Sequence, residues 1–126
     1  MTTEVRDDLK YTETHEWVKV KENTAKIGIT AHAQSELTDI VFAELPDIGK
    51  QLKKGDELCV VESVKSVSEI YTPVSGKIMK VNQDLEDTPE IINQQPYDDG
   101  WLVEIELSHP EELDDLHDAE AYRKLI

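Results

Sequence analysis

Cysteine is nearly absent from this 126-residue chain. The single residue, Cys59, excludes an internal disulfide and a thiolate metal cluster, and it suits a reducing compartment. It falls in the apolar run Leu58-Cys59-Val60-Val61, where a core thiol is the expected role. Cations are scarce too: 13 Lys and Arg stand against 28 Asp and Glu, a formal net charge of -15. A field of that sign repels phosphate backbones, so nucleic acid is not an expected partner. Either it steers the molecule toward basic patches on other proteins, or it serves solubility alone. No apolar run approaches the roughly 20 residues that span a bilayer, so no membrane crossing is expected.

Several chemical signatures are missing as well. A Gly-x-Gly-x-x-Gly loop, a P-loop and a Gly-x-Ser-x-Gly elbow are all lacking, which removes the parts of a nucleotide-binding enzyme or an autonomous hydrolase. His15 and His32 have carboxylates nearby but no His-x-x-x-His or Cys spacing, so core or surface roles are expected rather than a metal site. The start, Met1 to Asp8, has neither the apolar stretch of a secretory signal nor the acid-poor, Arg-rich character of a transit peptide. With Met1 native, a cytoplasmic location is expected.

What is present reads as one domain over residues 1–126, with a body of about 9–107 and a helical tail of 108–126. Short β-rich runs between turn signals predict strands at Trp17 to Lys21, Thr24 to Thr30, Ile40 to Leu45, Glu57 to Glu62, Val67 to Tyr71, Gly76 to Val81 and Trp101 to Leu107. A helix is predicted over Ala31 to Leu37 with Thr30 as its cap. In the tail, Ser108 and Glu111 have the spacing of a capping box, Leu113 and Leu116 share a face, and Asp118 is placed to cap a last helix carrying Tyr122, Leu125 and Ile126. Two Pro-x-x-Gly corners, Pro46 to Gly49 and Pro73 to Gly76, suggest a flattened barrel of two similar halves.

Between the corners lies a hairpin. If Ser63-Val64-Lys65-Ser66 is its turn, Glu62 pairs with Val67, Val60 with Glu69 and Leu58 with Tyr71. The favoured two-residue turns want Gly, Asn or Asp at their centre, and Val64-Lys65 offers none; a type I turn tolerates the pair with a poorer match to strand twist. A local rule broken at a projecting position suggests that something besides folding selected these residues. A lone turn lysine is otherwise a solvated amine.

The run from Val61 to Gly76, preceded by Lys53-Lys54-Gly55-Asp56-Glu57-Leu58, resembles the modification hairpin of lipoyl-bearing domains, and more narrowly that of the glycine cleavage H proteins. Tyr11-Thr12-Glu13-Thr14-His15-Glu16-Trp17-Val18, Ile27-Gly28-Ile29-Thr30, Ala33-Gln34, Glu44-Leu45-Pro46 and Pro96-Tyr97 with Gly100-Trp101 match that family's pattern in order, over roughly Leu9 to Leu125. Biotin carriers usually set the lysine between two methionines, and the lipoyl domains of 2-oxo acid dehydrogenases usually place Asp before it; Val64 and Ser66 fit neither.

The resemblance implies a mainly β (α+β) fold, a flattened barrel or sandwich of the barrel-sandwich hybrid type, with the lysine hairpin exposed and short helices at its periphery and C-terminus. It implies a single lipoyl-binding domain that is a carrier and not an enzyme, with lipoate joined by an amide to Lys65. Glu62, Glu69 and Gly76 are implied as recognition determinants for the lipoylating or octanoylating enzyme, the bland reading being two strand carboxylates and a corner glycine. Thr14, Glu16 and Glu36 are implied to line a groove for the arm. The implied partners are glycine decarboxylase (P protein), aminomethyltransferase (T protein) and dihydrolipoyl dehydrogenase (L protein), with the aminomethyl group of glycine passed from the first to the second. A monomer is expected. The alternative is a relay that hands lipoyl or octanoyl groups to other lipoyl-dependent enzymes.

Overall fold

The computed structural model describes residues 4–126. The reading of the N-terminus as neither signal nor transit peptide falls partly on Met1 to Thr3, outside the described residues. Among the described residues nine strands make two antiparallel sheets that face each other without closing into a barrel. The larger sheet contains β1 (Lys10–Tyr11), β2 (Glu16–Lys21), β3 (Thr24–Ile29), β5 (Gln51–Leu52), β8 (Gly76–Val81) and β9 (Val103–Leu107), in the spatial order β1-β2-β3-β9-β8-β5. The smaller contains β4 (Ile40–Glu44), β6 (Glu57–Ser63) and β7 (Val67–Tyr71), with β6 in the middle.

Period-two patterning sends alternate residues into the space between the sheets, as in Ala25, Ile27 and Ile29 of β3 and Ile78 of β8, all buried. Each such Ile contributes about 1.5 to 3 kcal/mol by leaving water. A second cluster of Leu9, Tyr11, Trp17, Tyr97, Ala119 and Tyr122 fastens the C-terminal helix α4 (Ala119–Leu125) to the first strands. There the Tyr11 and Tyr122 rings stack at 4.4 Å, and the Trp17 indole N–H donates to the Pro96 carbonyl at 2.8 Å. Gly28 makes room for that indole, because a Cβ on it would stand 2.6 Å from the ring.

The helix α1 (Ala31–Leu37) forms where expected, with the Thr30 hydroxyl accepting from the Ala33 N–H. Asp118 caps α4 through the Ala121 N–H; Tyr122 is buried, while Leu125 and Ile126 remain exposed.

Four expectations are corrected. Ser108 and Glu111 do not form a capping box: the tail begins as a 3-10 helix, Pro110–Asp115, whose N-cap is His109 without a side-chain cap. Instead Glu112 accepts from both the Ser75 N–H (2.7 Å) and the Ser75 hydroxyl (2.8 Å), an interaction that sequence spacing cannot reveal. Leu58 does not face Tyr71, since a bulge pairs Glu57 with Tyr71 and Cys59 with Ile70, leaving Leu58 and Cys59 both buried. Nor are there two similar halves: the sheets have six strands and three, Gly49 takes a φ of 94° in a turn, and Gly76 is a strand residue and not a corner. The short helices α2 (Asp84–Asp87) and α3 (Ile91–Gln94) complete the chain.

Candidate functional site: a lysine turn and an adjoining cleft

The β6–β7 ladder carries Ser63 to Ser66 out as a turn, closed by the Ser63 N–H donating to the Ser66 carbonyl at 2.8 Å. Neither Val64 nor Lys65 has a positive φ, which excludes the primed turn types that this pair does not suit. The missing turn chemistry comes from Ser63, whose buried hydroxyl oxygen accepts from the Lys65 N–H (3.1 Å) and the Ser66 N–H (3.0 Å). A second brace is the Val64 N–H donating to the Asp39 carbonyl at 3.0 Å.

Lys65 is exposed on this braced tip. Its ammonium donates to the backbone carbonyl of Glu36 at 3.2 Å, and among the described residues no carboxylate lies within ion-pair distance. The Glu36 side chain itself turns to His32, 3.4 Å away on the same helix face. Val64 and Val67 flank the lysine at 67% and 62% exposure.

Glu62 pairs with Val67 directly below the turn, and Glu69 pairs with Val60 further along; both carboxylates are exposed. The Tyr71 hydroxyl donates to Glu69 at 2.7 Å, and that bond holds the phenol's pKa above its ordinary value. Gly76 lies in the other sheet, where a Cβ would stand 2.1 Å from the Glu106 carbonyl oxygen. The absence of a side chain at Gly76 is therefore a packing requirement of the β8–β9 pair.

A cleft of about 550 Å³ opens at the far end of β7 from the turn. Thr12, Thr14 and Glu16 form one wall, Tyr71, Thr72 and Pro73 another, and Asp115, Leu116 and His117 a third. Glu16 is 3% exposed. The hydroxyls of Thr12 (2.7 Å) and Thr14 (2.6 Å) both donate to its Oε1. Among the described residues its other oxygen has no hydrogen-bond partner and no fully buried side-chain polar atom goes unpaired, so Oε2 keeps some accessible surface on a residue that lines the cleft. Burial raises the Glu16 pKa, and the two hydroxyl donors oppose that rise.

Of the three groove candidates, Thr14 and Glu16 meet in this cleft and Glu36 does not, being stationed beside Lys65 instead. The tail residues Asp115, Leu116 and His117 carry no sequence signal that marks them as cleft wall. They arrive there because the tail folds back to pair His117 with Tyr11 and because Lys54 Nζ sits 3.1 Å from Asp115. Between Thr14 and Glu16 in sequence, His15 holds an unusual φ of 71° and shares a 2.8 Å hydrogen bond with the Tyr122 hydroxyl. Its ring lies 4.5 Å from that of His32. Burial, aided by the neighbouring His32, lowers the His15 pKa.

Comparison with known proteins gives one answer throughout. A family model described as "Glycine cleavage H-protein" matches residues 9–126. The chain is 52% identical over 122 residues to a "Glycine cleavage system H protein" of Staphylococcus haemolyticus, covering 97% of both chains. It is 54% identical over 115 residues to the protein so named from Symbiobacterium thermophilum, covering 91% of this chain and 90% of that one. A crystal structure of a glycine cleavage system H protein from Mycobacterium marinum superposes with a TM-score of 0.88 at 32% identity, covering 95% of this chain and 97% of the other.

Proposed function

The chain belongs to the glycine cleavage H-protein family, and from that premise we propose that it is the lipoyl carrier of a glycine cleavage system, bearing lipoate on Lys65. In this reading it moves the aminomethyl group of glycine from the pyridoxal phosphate-dependent decarboxylase to the tetrahydrofolate-dependent aminomethyltransferase. A dihydrolipoyl dehydrogenase serves as the third partner. The observation that carries the reading is the Lys65 amine, exposed on a turn that Ser63 braces from beneath and held, among the described residues, only by a backbone carbonyl.

Those features suit covalent attachment. An amine without a carboxylate partner loses no ion pair when amide formation removes its charge. A turn fixed by the four hydrogen bonds described above presents the nitrogen in one place, which lowers the entropic cost of entering another protein's active site. The bound group supplies a disulfide-containing ring on a flexible arm, open to reduction and to carriage of a one-carbon unit. The chain contributes the tether, and with it a high effective concentration near successive partners.

In the same reading Thr12 and Thr14 hold the Glu16 carboxyl so that its free oxygen meets a cationic cargo in the cleft. The walls from β7 and the tail flank the cargo on the other sides of the cleft. Glu62 and Glu69 act as recognition residues through their exposed carboxylates, and Gly76 acts through the packing that sets β8 against β9. Glycine decarboxylation reconstituted with the three partner enzymes tests the assignment: the lipoylated chain is expected to sustain turnover and Lys65→Arg to abolish it. Undiminished turnover with Lys65→Arg refutes it.

A further inference from the structure

Charge is divided between the two sheets. The strands of the larger sheet hold Lys10, Lys19, Lys21, Lys26, Lys77 and Lys80 against Glu16, Glu104 and Glu106. The three strands of the smaller hold Glu44, Glu57, Glu62 and Glu69 and no Lys or Arg at all. None of these four carboxylates makes an ion pair among the described residues. Lys50 stands near Glu44 and Glu57 at the end remote from the turn, lining a small hollow with them.

On the outer face of this sheet the acids alternate with apolar side chains in two cross-strand rows. The row next to the turn reads Phe42, Glu62, Val67, and the next reads Glu44, Val60, Glu69. Phe42 is 47% exposed, and it and Val67 occupy the two edges of the first row, so an aromatic ring and a branched aliphatic face solvent on either side of a carboxylate. Exposed apolar side chains rimmed by unpaired charge of one sign describe an interaction site whose partner is apolar at its centre and basic at its rim.

We propose that this outer face, centred on Phe42 and Val67, is the docking surface for the enzyme that acylates Lys65. The proposal rests on the carrier reading above. Other partners meet the end of an arm, but the attaching enzyme must receive the bare lysine, whose side chain reaches only roughly 6 Å. A standard interface covers about 800 Å² per partner, a disc of about 16 Å radius, while rows on one face of a strand are about 7 Å apart. An enzyme engaged at the tip therefore lies over both rows. The step it performs is amide formation: the lysine nitrogen bonds to the carbonyl carbon of an adenylate-activated acyl group, the bond from that carbon to the phosphate oxygen breaks, AMP departs with the electron pair, and one amine proton passes to solvent.

The test uses the full chain, a purified lipoate–protein ligase, lipoate and ATP, with uptake at Lys65 followed by intact mass. Phe42→Ser and Val67→Thr are expected to lower kcat/KM about tenfold or more, through KM, with kcat within about twofold. Melting curves establish that each variant is folded, and Val67→Thr keeps a β-branched residue at its site. Val20→Ser, at a 40% exposed position of the other sheet, is expected to react at the parent rate. Raising ionic strength from about 0.05 to about 0.3 M is expected to lower the parent's kcat/KM several-fold, and Glu44→Gln with Glu69→Gln to blunt that response. Parent-like kinetics in both apolar variants overturn the proposal. So does self-association that disappears in Phe42→Ser while acylation is unchanged, because a second copy then covers the face. If the parent chain itself takes up no group, the carrier reading fails and not only the docking surface.

Discussion

Replacing Gly76 with alanine should cost this protein a large part of its stability. An ideal Cβ there stands 2.1 Å from the Glu106 carbonyl oxygen, 3.0 Å from its carbon and 3.2 Å from Ile105 Cγ1. Relief requires β9 to retreat by roughly 1 Å, which is the scale of overpacking that costs about 1–3 kcal/mol. Gly76 pairs with Leu107 and Lys77 with Glu106, so a retreat also weakens one or two ladder hydrogen bonds at about 0.5–1.5 kcal/mol each. Alanine returns about 0.4–1 kcal/mol by restricting the unfolded chain. The net loss is about 2–4 kcal/mol, or a fall in Tm of about 8–16 °C for a chain of this size. Thermal unfolding followed by far-UV circular dichroism measures it, and a Tm within about 2 °C of the parent refutes the packing argument. Acylation of the folded variant at low temperature then separates the two roles of Gly76. Uptake at the parent rate makes its influence purely structural, and slow uptake adds a direct role in recognition.

Glu16→Gln is expected to accept lipoate normally but to shorten the half-life of the aminomethyl-loaded carrier, read by release of formaldehyde and ammonia; an unchanged half-life removes Glu16 from that role. The same variant tests the electrostatics of the cleft. Because burial raises the folded-state pKa of Glu16, the folded chain holds that proton more tightly than the unfolded chain. The stability tied to the proton is complete below the unfolded carboxyl range near pH 4, and it is lost as pH rises through the raised folded value. Urea midpoints of parent and Glu16→Gln should therefore shift in the variant's favour across the window above about pH 4; a difference independent of pH contradicts the assignment. Glu112→Ala removes both acceptors of Ser75 and is expected to cost about 1.5–3 kcal/mol with faster hydrogen exchange over the tail. Unaltered exchange at Leu113 to His117 would show that the tail is held by other contacts.

Much of the fold was legible from local pattern. β7, β8 and α1 have the predicted bounds because their signals are near in sequence: alternation between turn residues, and a Thr cap before a helical run. The lysine turn was legible as an anomaly, and the structure gives its physical resolution in the Ser63 hydroxyl, which satisfies two amides that a glycine turn would have oriented differently. What escaped depends on partners distant in sequence. The spacing of Ser108 and Glu111 predicts a capping box, yet Glu112 reaches Ser75, 37 positions away. Nothing local marks α3 either, which Asn93 anchors by accepting from the Ile40 N–H and donating to the Thr38 carbonyl. The bulge at Leu58 arises from two consecutive residues that both need burial, against the strict alternation on which the register was drawn.

The site divides in the same way. Lys65, Glu62 and Glu69 belong to one hairpin, so their mutual placement follows from strand register. The cleft is assembled from the start of β2, the end of β7 and the returning tail, and its third wall carried no sequence signal. Glu36 shows the limit of spacing arguments, since its backbone carbonyl, and not its carboxylate, meets Lys65.

Site-resolved mass spectrometry of the full chain, expressed in lipoate-replete cells, tests the central claim most directly. One lipoyl group per chain is expected, mapped to the Lys65 nitrogen and absent from Lys65→Arg. A chain that stays unmodified in such cells, or that carries the group on another lysine, contradicts it.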